Sequence, residues 1–509
     1  MDFMKNLEEK STETTTENGA LAFNTTLNKN LDFFGQAASM RGNNDVQNLF
    51  IYAYNEDRTL ALKNLVYLRD IRHGGLGERD SFRLCAEYLN EIEDNPALLG
   101  VLNKLHDFGR WDDVFYFADN FNEEISERAF RIIKDQLSED TFSLLLGKEI
   151  SLLAKWLPNG NEAKESRRLF GRKMQKELEM TPSKYRKTIS MLRKELDLVE
   201  IKLASKQTDK IDYSSVPSLA NLKYHKAFSR NDGDRYSDFL TEVISGESTM
   251  NSSLNMPGDI IHKYHGSDGS SYWGFSYKPS PTMEAAWISM NDVFQEEDKS
   301  DSIIVVADTS GSMNAEIGSS SMTLWDVAEG LGIYTAERLG GPFENKLITF
   351  SSKPIFVNLP KNGTLYDKMR EYERHSIIDN TNIEKVFRLI LDTAVQSKAK
   401  QEDIPNKILI VSDMQFDYMV DNPDNTKSIL RAFQDKFRLF GYELPQIVFW
   451  NLNRDSGRLP IQASDSGVAL ASGYSTNVLL QILGNNDLSP VQLMLDSLAN
   501  PYFDFVDEL

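Results

Sequence analysis

Two hydrophobic patterns divide the sequence. From about Asp45 onward, apolar residues recur at spacings of three and four, which predicts amphipathic helices. Two such stripes are Leu60, Leu62, Leu65, Val66, Leu68 and Ile71, and Ile125, Ala129, Ile132, Ile133 and Leu137. Short polar or glycine-containing breaks separate the stripes. The pattern therefore predicts an all-α N-terminal domain over residues 21–300, built as a HEAT-like stack of helical hairpins.

From Ser302 the pattern changes to short apolar runs that alternate with helical segments. The predicted strands are Ile303–Ala307, Leu347–Phe350, Ile408–Val411, Ile447–Trp450 and Val468–Ala471. The predicted helices are Leu324–Leu339, Ile383–Ser397, Ser428–Phe440 and Asn477–Leu483. Buried strands that alternate with helices indicate a parallel sheet covered on both faces. We predict a doubly wound, Rossmann-like α/β domain over residues 301–485, after which residues 486–509 pack back onto the protein.

Two segments lack either pattern. Residues 1–20 are polar, with the run Ser11-Thr12-Glu13-Thr14-Thr15-Thr16, and they predict a flexible arm. Residues 232–281 are rich in glycine, proline, serine and tyrosine, which predicts a loop-rich connector.

Composition narrows the class of protein. A length of 509 residues predicts more than one domain. A net charge of −20 argues against nucleic-acid binding over the whole surface, but it allows one local basic face. No apolar run approaches the roughly 20 residues that a membrane helix needs, and the N-terminus lacks a signal-peptide pattern, so we expect a cytoplasmic protein without membrane contact. The single cysteine, Cys85, lies among apolar residues and indicates a buried thiol.

The loop after the first strand of the α/β domain carries a metal-ligand pattern. Asp308, Ser310 and Ser312 place a carboxylate and two hydroxyls at alternate positions of a tight turn. Mg²⁺ prefers about six oxygen ligands, of which this turn supplies up to three. Alternatively, Asp308 caps a helix and the serines fill a polar turn.

This Asp-x-Ser-x-Ser run resembles the metal-ion-dependent adhesion site of von Willebrand A domains. The resemblance implies two further metal ligands, for which Thr381 and Asp413 are the candidates, and an open position for a carboxylate from a protein partner. It implies Mg²⁺, or another divalent cation such as Mn²⁺ or Ca²⁺. Thr381 has a competing interpretation, because Glu384 three residues later completes a capping box. Asp417 is either a supporting group or a solvated side chain.

A helical half ahead of such a domain is similar to the Ro autoantigen (TROVE) family. Two motifs carry the resemblance, the segments 71–79 (Ile-Arg-His-Gly-Gly-Leu-Gly-Glu-Arg) and 109–113 (Gly-Arg-Trp-Asp-Asp). The resemblance extends from about Asn18 to the C-terminus. It implies a ring of helical repeats closed by the A domain, and binding of small structured or misfolded RNA on a basic surface. Arg72, His73 and Arg79 could contact phosphate, although a turn between helices is the better interpretation of the glycines.

A basic segment fits that expectation. Between Lys164 and Lys202 there are twelve basic and six acidic residues. The predicted RNA-binding residues are Arg167, Arg168, Arg172, Lys173, Lys176, Lys184, Arg186, Lys187, Arg193 and Lys194. The predicted stacking residues are Phe170, Tyr185, Tyr224 and His225. The alternative is a solvated helix with charge pairs such as Lys173 with Glu177.

The sequence predicts no catalytic centre. The six histidines form no His-Glu-x-x-His motif, and no serine lies in a Gly-x-Ser-x-Gly elbow. His262 and His265 are three residues apart, but Gly258 and Gly266 argue against the helix that a shared metal would require. We therefore expect a non-catalytic, Ro-like RNA-binding protein with a metal-dependent A domain. Two alternatives remain: a metal-dependent protein-interaction scaffold without RNA, and a metal-dependent nuclease.

Overall fold

The computed structural model has an N-terminal helical half and a C-terminal half built on a mixed sheet of six strands. It describes residue 8 and residues 10–251, 256–266, 277–294, 302–318, 320–350, 352–417, 429–455, 457–483 and 488–509. Within these residues, no helix is long and apolar enough to cross a membrane.

The N-terminal half is built from fifteen described helices, of which the first eight each pack against their neighbours in sequence. They are α1 (Lys29–Phe34), α2 (Asp45–Glu56), α3 (Arg58–Arg69), α4 (Asp80–Glu91), α5 (Asn95–Phe108), α6 (Trp111–Asn120), α7 (Glu123–Leu145), α8 (Leu153–Trp156), α9 (Glu165–Glu177), α10 (Pro182–Glu195), α11 (Val199–Ala204), α12 (Ser218–Asn231), α13 (Gly233–Ser245), α14 (Pro257–His265) and α15 (Pro281–Ile288). Side-chain caps start several of them, as where Asp57 accepts a hydrogen bond from the Leu60 backbone N–H. Cys85 is fully buried on α4, and burial raises the pKa of its thiol.

The predicted loop-rich connector over residues 232–281 is wrong where α13 and α14 lie. Its glycines and prolines mark helix ends instead of a loop. Gly246 ends α13 with a positive φ of 82°, a conformation that glycine adopts easily. Pro257 begins α14, at a position where the N–H that proline lacks would have no partner within the helix. The helix that Gly258 and Gly266 argued against is therefore present. Residues 252–255 and 267–276 of this segment lie outside the described residues.

The predicted flexible arm is wrong for residues 10–20. Strand β1 (Glu13–Thr15) pairs with β2 (Leu21–Phe23) in an antiparallel hairpin. The hairpin is attached to the C-terminal half, because the Thr16 hydroxyl donates to the Phe416 carbonyl at 2.6 Å and Ala20 is buried there. Composition could not predict this, because the hydrogen-bond partners lie some four hundred residues away.

The sheet of the C-terminal half has the strand order β5-β4-β3-β6-β7-β8. Its strands are β3 (Ile303–Asp308), β4 (Lys346–Phe350), β5 (Ile355–Asn358), β6 (Lys407–Ser412), β7 (Gln446–Asn451) and β8 (Val468–Ser472). The five predicted strands are all present and parallel. The sheet is nevertheless mixed, because β5 adds an antiparallel edge strand that the sequence analysis missed. Its side chains are mostly half-buried or exposed, so no apolar run marks it.

Alternate residues of the strands face two different cores. Val305 and Val411 pack into a core that is continuous with the N-terminal helices. Val306 and Ile410 pack into a second core on the opposite face. The helices of this half are α16 (Leu324–Arg338), α17 (Leu365–Arg374), α18 (Ile383–Ser397), α19 (Ile429–Leu439), α20 (Asn477–Leu483) and α21 (Pro490–Leu498). The two halves therefore share one hydrophobic core across one face of the sheet.

Helix α16 joins the halves. Every residue from Leu324 to Ala336 is buried, because α16 packs on the sheet with one side and on α14 with another. The two helices approach closely at Gly258 and Gly330: a Cβ on Gly330 would lie 2.7 Å from the Gly258 backbone nitrogen. Glycine is required at this crossing because backbone, which cannot move aside, lies opposite.

The C-terminal segment packs against α3. After α21, a 3₁₀ helix (Pro501–Glu508) places the Tyr502 ring in a stack on His73, with 3.5 Å between ring centroids. Lys63 of α3 forms an ion pair with Asp507 at 2.8 Å. The first turn after α3 is thus covered by the end of the described chain.

We expect Gly330→Ala to destabilise the protein by about 1–3 kcal/mol, because the added methyl group meets backbone that is already in contact. Urea denaturation would measure this. The matched control is Gly332→Ala in the same helix, where the new Cβ would meet only the Ala307 Cβ, at 3.4 Å. Equal stability of the two variants would contradict the close helix crossing.

Candidate functional site

The loop that carries the predicted metal ligands Asp308, Ser310 and Ser312, which we call the metal loop, lies at the carboxyl end of β3. Asp308 ends the strand, and its Oδ1 accepts a hydrogen bond from the Ser310 backbone N–H at 2.8 Å. The Ser310 and Ser312 hydroxyl oxygens lie 3.0 Å apart. The tight turn that the spacing predicted therefore directs these oxygens to one place, and Asp308 caps no helix.

Asp413 joins this group from the neighbouring strand. Because β3 and β6 run parallel and side by side, their carboxyl ends meet at the same edge of the sheet. The Ser412 hydroxyl donates to Asp308 Oδ2, and the Asp413 carboxylate is hydrogen-bonded by Ser312. Asp308, Ser310, Ser312 and Asp413 thus form one connected cluster, which we call the sheet-edge site.

Thr381 lies in a loop that runs alongside the sheet-edge site. The capping interpretation of this residue is wrong, because the N-cap of α18 is Asn382, whose side chain accepts from the Lys385 N–H. The loop is attached to the metal loop where the Gly311 N–H donates to the Asp379 carbonyl, at 3.3 Å. Thr381 itself is buried, and its carbonyl accepts from the Asp417 N–H. Asp417 is therefore attached to this loop by its backbone.

The two carboxylates of the sheet-edge site repel each other. Burial, and then the nearby Asp413 charge, raise the pKa of Asp308 to about 7, and burial also raises the pKa of Asp413. Within the described residues neither carboxylate forms an ion pair. A divalent cation would offset this buried negative charge, and the all-oxygen donor set suits Mg²⁺, Mn²⁺ or Ca²⁺. The residues present therefore fit the ion that the resemblance implied.

The site opens to solvent at Gly311 and Ser312, which are exposed. Beside this opening, Ile377 and Ile378 are each 38% exposed. The Thr309 hydroxyl donates to the Ile377 carbonyl, which attaches this apolar rim to the metal loop. Two exposed apolar side chains therefore lie beside the solvent-facing opening of the site.

The N-terminal hairpin forms one flank of the site, which the sequence analysis did not foresee. The Glu17 N–H donates to the Gln415 side chain at 3.0 Å, and Asn18 donates to the Gln415 carbonyl at 2.7 Å. The charge of Glu17 contributes to the raised pKa of Asp413. Only the polar run of residues 11–18 hinted that this segment could hydrogen-bond a loop.

The predicted RNA-binding residues lie on α9 and α10, but they divide into two groups. Four are engaged within the protein. Arg167 pairs with Glu162, Arg168 lies 3.9 Å from Glu165, Lys173 pairs with Asp119, and Arg193 donates to the backbone carbonyls of Ala154 and Leu157. The alternative pair of Lys173 with Glu177 is replaced by the contact with Asp119.

The remaining cations face solvent. Arg186 donates to the Pro182 carbonyl of its own helix. The others form no ion pair with any described residue and are exposed; they are Arg172, Lys176, Lys184, Lys187 and Lys194. Arg172 and Lys176 are one turn apart on α9, while Lys184 and Lys187 share a side of α10. We call Arg172, Lys176, Lys184, Lys187 and Lys194 the basic face.

Of the four predicted stacking residues, Tyr185 and Phe170 pack against other parts of the protein, while Tyr224 and His225 are half-buried. Tyr185 is fully buried, and its hydroxyl donates to the Pro158 carbonyl at 2.9 Å. Phe170 packs against Phe115 and Phe130. The prediction that Tyr185 stacks on bases is therefore wrong, because its place in the helical period turned it toward the core.

The two motifs of the helical half contact each other where Arg79 forms an ion pair with Asp112 at 3.5 Å, and residues next to the motifs add further contacts. The Ile71 N–H donates to the Phe108 carbonyl at 2.9 Å, and Arg72 donates to the Asp107 carbonyl. Below them, Arg69 and Asp113 form a buried ion pair at 2.6 Å. These contacts support the structural interpretation of the glycine segment as a turn between helices.

Comparisons with known proteins give the following matches. The family model described as "Domain of unknown function (DUF2828)" matches residues 16–105 and 117–304, more than half of the chain. A second model, "Domain of unknown function (DUF7788)", matches residues 302–496. "Uncharacterized protein L728" of Acanthamoeba polyphaga mimivirus is 28% identical over 532 residues, covering 96% of this chain and 88% of that protein. The crystal structure of the Deinococcus radiodurans RO (RSR) protein aligns with 91% of this chain and 90% of its own, at 11% identity and a TM-score of 0.38.

In excess chelator, we expect Asp308→Asn to stabilise the protein, because it removes one of two buried like charges. The pKa of Asp308 rises from an ordinary 3.8 to about 7 on folding, so the carboxyl group contributes most stability below pH 4 and loses it as the pH rises toward 7. The advantage of the variant should therefore grow between pH 4 and pH 7 in urea denaturation. Asp392→Asn, at an exposed position of α18, is the control. An advantage that does not change with pH would contradict the buried charge pair.

Proposed function

The chain belongs to the family described as "Domain of unknown function (DUF2828)", and we propose that it is a non-catalytic binding protein that uses a divalent cation to capture a protein partner. The cation binds at the sheet-edge site, in the manner of a von Willebrand A domain. The observation that carries this proposal is the juxtaposition of Asp308, Ser310, Ser312 and Asp413 at one strand end, beside the Thr381 loop.

Each residue has a role that its chemistry supports. The Ser310 and Ser312 hydroxyls supply neutral oxygen ligands to the ion. Asp308 and Asp413 supply negative charge to the ion, directly or through water. The loop that contains Thr381 borders the ion from another direction. Bound there, the cation supplies a positive centre that attracts a carboxylate of the partner at the solvent-facing position. The exposed Ile377 and Ile378 side chains add apolar contact around that carboxylate.

Cation binding is the first test. Isothermal titration with Mn²⁺ should give a binding event in the wild-type protein that Asp308→Ala and Ser312→Ala each weaken by at least about tenfold. Ser397→Ala, at the exposed far end of α18, is the matched control and should bind like the wild type. Unchanged affinity in both site variants would refute the sheet-edge site.

Partner capture is the second test. Affinity capture from native cells should enrich proteins in Mg²⁺ that chelator releases and that Ser312→Ala does not retain. Ile378→Ser should reduce capture of the same proteins while leaving Mn²⁺ affinity intact, because the rim contacts the partner and not the ion. Partners retained equally in chelator would oppose metal-dependent capture.

A second candidate function is RNA binding on the basic face. The observation in its favour is that five exposed cations without ion-pair partners among the described residues cluster on two helices of a chain with a net charge of −20. Phosphate contacts by such residues would give an affinity that falls steeply with salt. The RNA expected is small and non-coding or misfolded, as the resemblance to the Ro family implies.

Changing Arg172, Lys176 and Lys187 together to Glu should abolish binding of a hairpin RNA with a single-stranded end, measured by fluorescence anisotropy over a salt series. The control reverses the charge of three exposed lysines of the C-terminal half, namely Lys361, Lys398 and Lys400. Lys361 and Lys400 form ion pairs at the surface. The control should retain most of the affinity. An equal loss in both variants would show a general charge effect and remove the basic face from consideration.

A further inference from the structure

A cluster of titratable side chains lies where α14, α16 and α17 meet. His265 ends α14, Glu329 lies in α16 and Glu373 lies in α17. One ligand atom from each lies within 4.8 Å of the others. The His265 Nε2 atom is 3.3 Å from Glu373 Oε1 and 3.6 Å from Glu329 Oε2.

The imidazole of His265 is oriented by a carboxylate behind it. Its Nδ1 atom lies 2.6 Å from Asp326 Oδ1, so the other ring nitrogen faces the two glutamates. Asp326 is itself held by His262 Nδ1 at 2.9 Å and by the Thr323 N–H at 2.8 Å. A carboxylate behind a histidine in this way is the usual support of a metal-ligating imidazole.

The two glutamates are incompletely paired. Glu329 is fully buried; Trp325 donates to its Oε2 at 3.0 Å, while its Oε1 has no hydrogen-bond partner within the described residues. Glu373 Oε2 also lacks a hydrogen bond of ordinary geometry there, although the Tyr277 hydroxyl interacts with the Glu373 carboxylate and the partly exposed Arg370 lies 3.7 Å from Oε2. Burying two adjacent carboxylates in this state costs several kcal/mol unless a cation accompanies them.

We propose that His265, Glu329 and Glu373 bind a divalent transition-metal ion of the zinc class, which joins the N-terminal and C-terminal halves of the protein. One imidazole nitrogen with two carboxylates suits Zn²⁺ and related ions better than Mg²⁺ or Ca²⁺, which prefer oxygen ligands alone. Ligands about 2.1 Å from a tetrahedral Zn²⁺ lie about 3.4 Å from one another, close to both distances from His265 Nε2. Three protein ligands leave the fourth tetrahedral position for a water molecule.

The competing arrangement is a metal-free ion cluster around a protonated histidine. Although burial opposes the charge, hydrogen bonds with Asp326 and Glu373 raise the pKa of His265 to about 10. A metal ion and this proton compete for the same nitrogen, so the two arrangements can be distinguished by direct metal binding. His262 is not a ligand in the proposal, because its two nitrogens face Asp326 and Ser321.

The test uses the full-length protein with the Asp308→Ala change, so that the sheet-edge site does not contribute. After removal of metal with a strong chelator, one equivalent of Co²⁺ should produce the visible absorption of a four-coordinate site, and Zn²⁺ should abolish that absorption. His265→Asn and Glu329→Gln should each weaken Zn²⁺ affinity by at least about 100-fold. His375→Asn, at a histidine whose ring pairs with Glu371, should leave the affinity unchanged.

Thermal unfolding provides the second measurement, and it remains informative if one variant is poorly folded. Zn²⁺ should raise the Tm of the parent protein but not that of Glu329→Gln. In chelator, the Tm of Glu329→Gln should equal or exceed that of the parent, because a buried charge has been removed. The proposal is overturned if the parent gives no Co²⁺ absorption, or if Glu329→Gln and His265→Asn bind Zn²⁺ as tightly as the parent does.

Discussion

The contact between α14 and α16 at Gly258 and Gly330 is the constraint on which the other features depend. It places backbone against backbone, with no room for a side chain between the two helices. Because α16 is buried on the sheet as well, this contact fixes the helical half against the α/β half. The metal loop after β3 leads along the chain to the start of α16. The same helix therefore also anchors the sheet-edge site. A packing requirement in the core therefore controls the geometry of a surface site.

The two candidate ion sites differ in the chemistry that they can accept. The sheet-edge site offers hydroxyl and carboxylate oxygens and opens to solvent beside Ile377 and Ile378, as a site for capture requires. The cluster around His265 offers nitrogen and oxygen ligands and lies between helices of both halves, as a site for structural support requires. Both contain pairs of buried carboxylates, whose mutual repulsion a cation would relieve. The basic face on α9 and α10 differs from both ion sites, because its like charges are exposed to solvent and are not buried.

Much of the α/β half could be predicted from the sequence because its buried strands are continuous apolar runs. Asp308 was found at the end of such a run, and the resemblance to von Willebrand A domains then pointed to Asp413; neighbouring parallel strands bring the two strand ends together. The edge strand β5 was missed because only one of its faces is covered. Contacts between distant segments were also beyond reach, as the pairing of the N-terminal hairpin with Gln415 illustrates.

The histidine cluster shows a different limit. His262 and His265 were visible as a pair, but glycine and proline around them suggested a loop, whereas these residues mark the ends of α14 and its contact with α16. The partners Asp326, Glu329 and Glu373 lie at least 61 residues away in sequence, and only the packing of three helices brings them together. Periodicity can likewise indicate that Tyr185 lies on a helix, but only the observed packing established that it faces the core.

The central claim is that the carboxyl edge of the sheet binds a divalent cation. The most direct measurement is anomalous X-ray diffraction from crystals of the full-length protein grown with Mn²⁺. We expect a manganese peak within coordination distance of the Ser310 and Ser312 hydroxyls, with Asp308, Asp413 and Thr381 around it. Density for water alone at this position, in crystals that contain ample Mn²⁺, would contradict the claim.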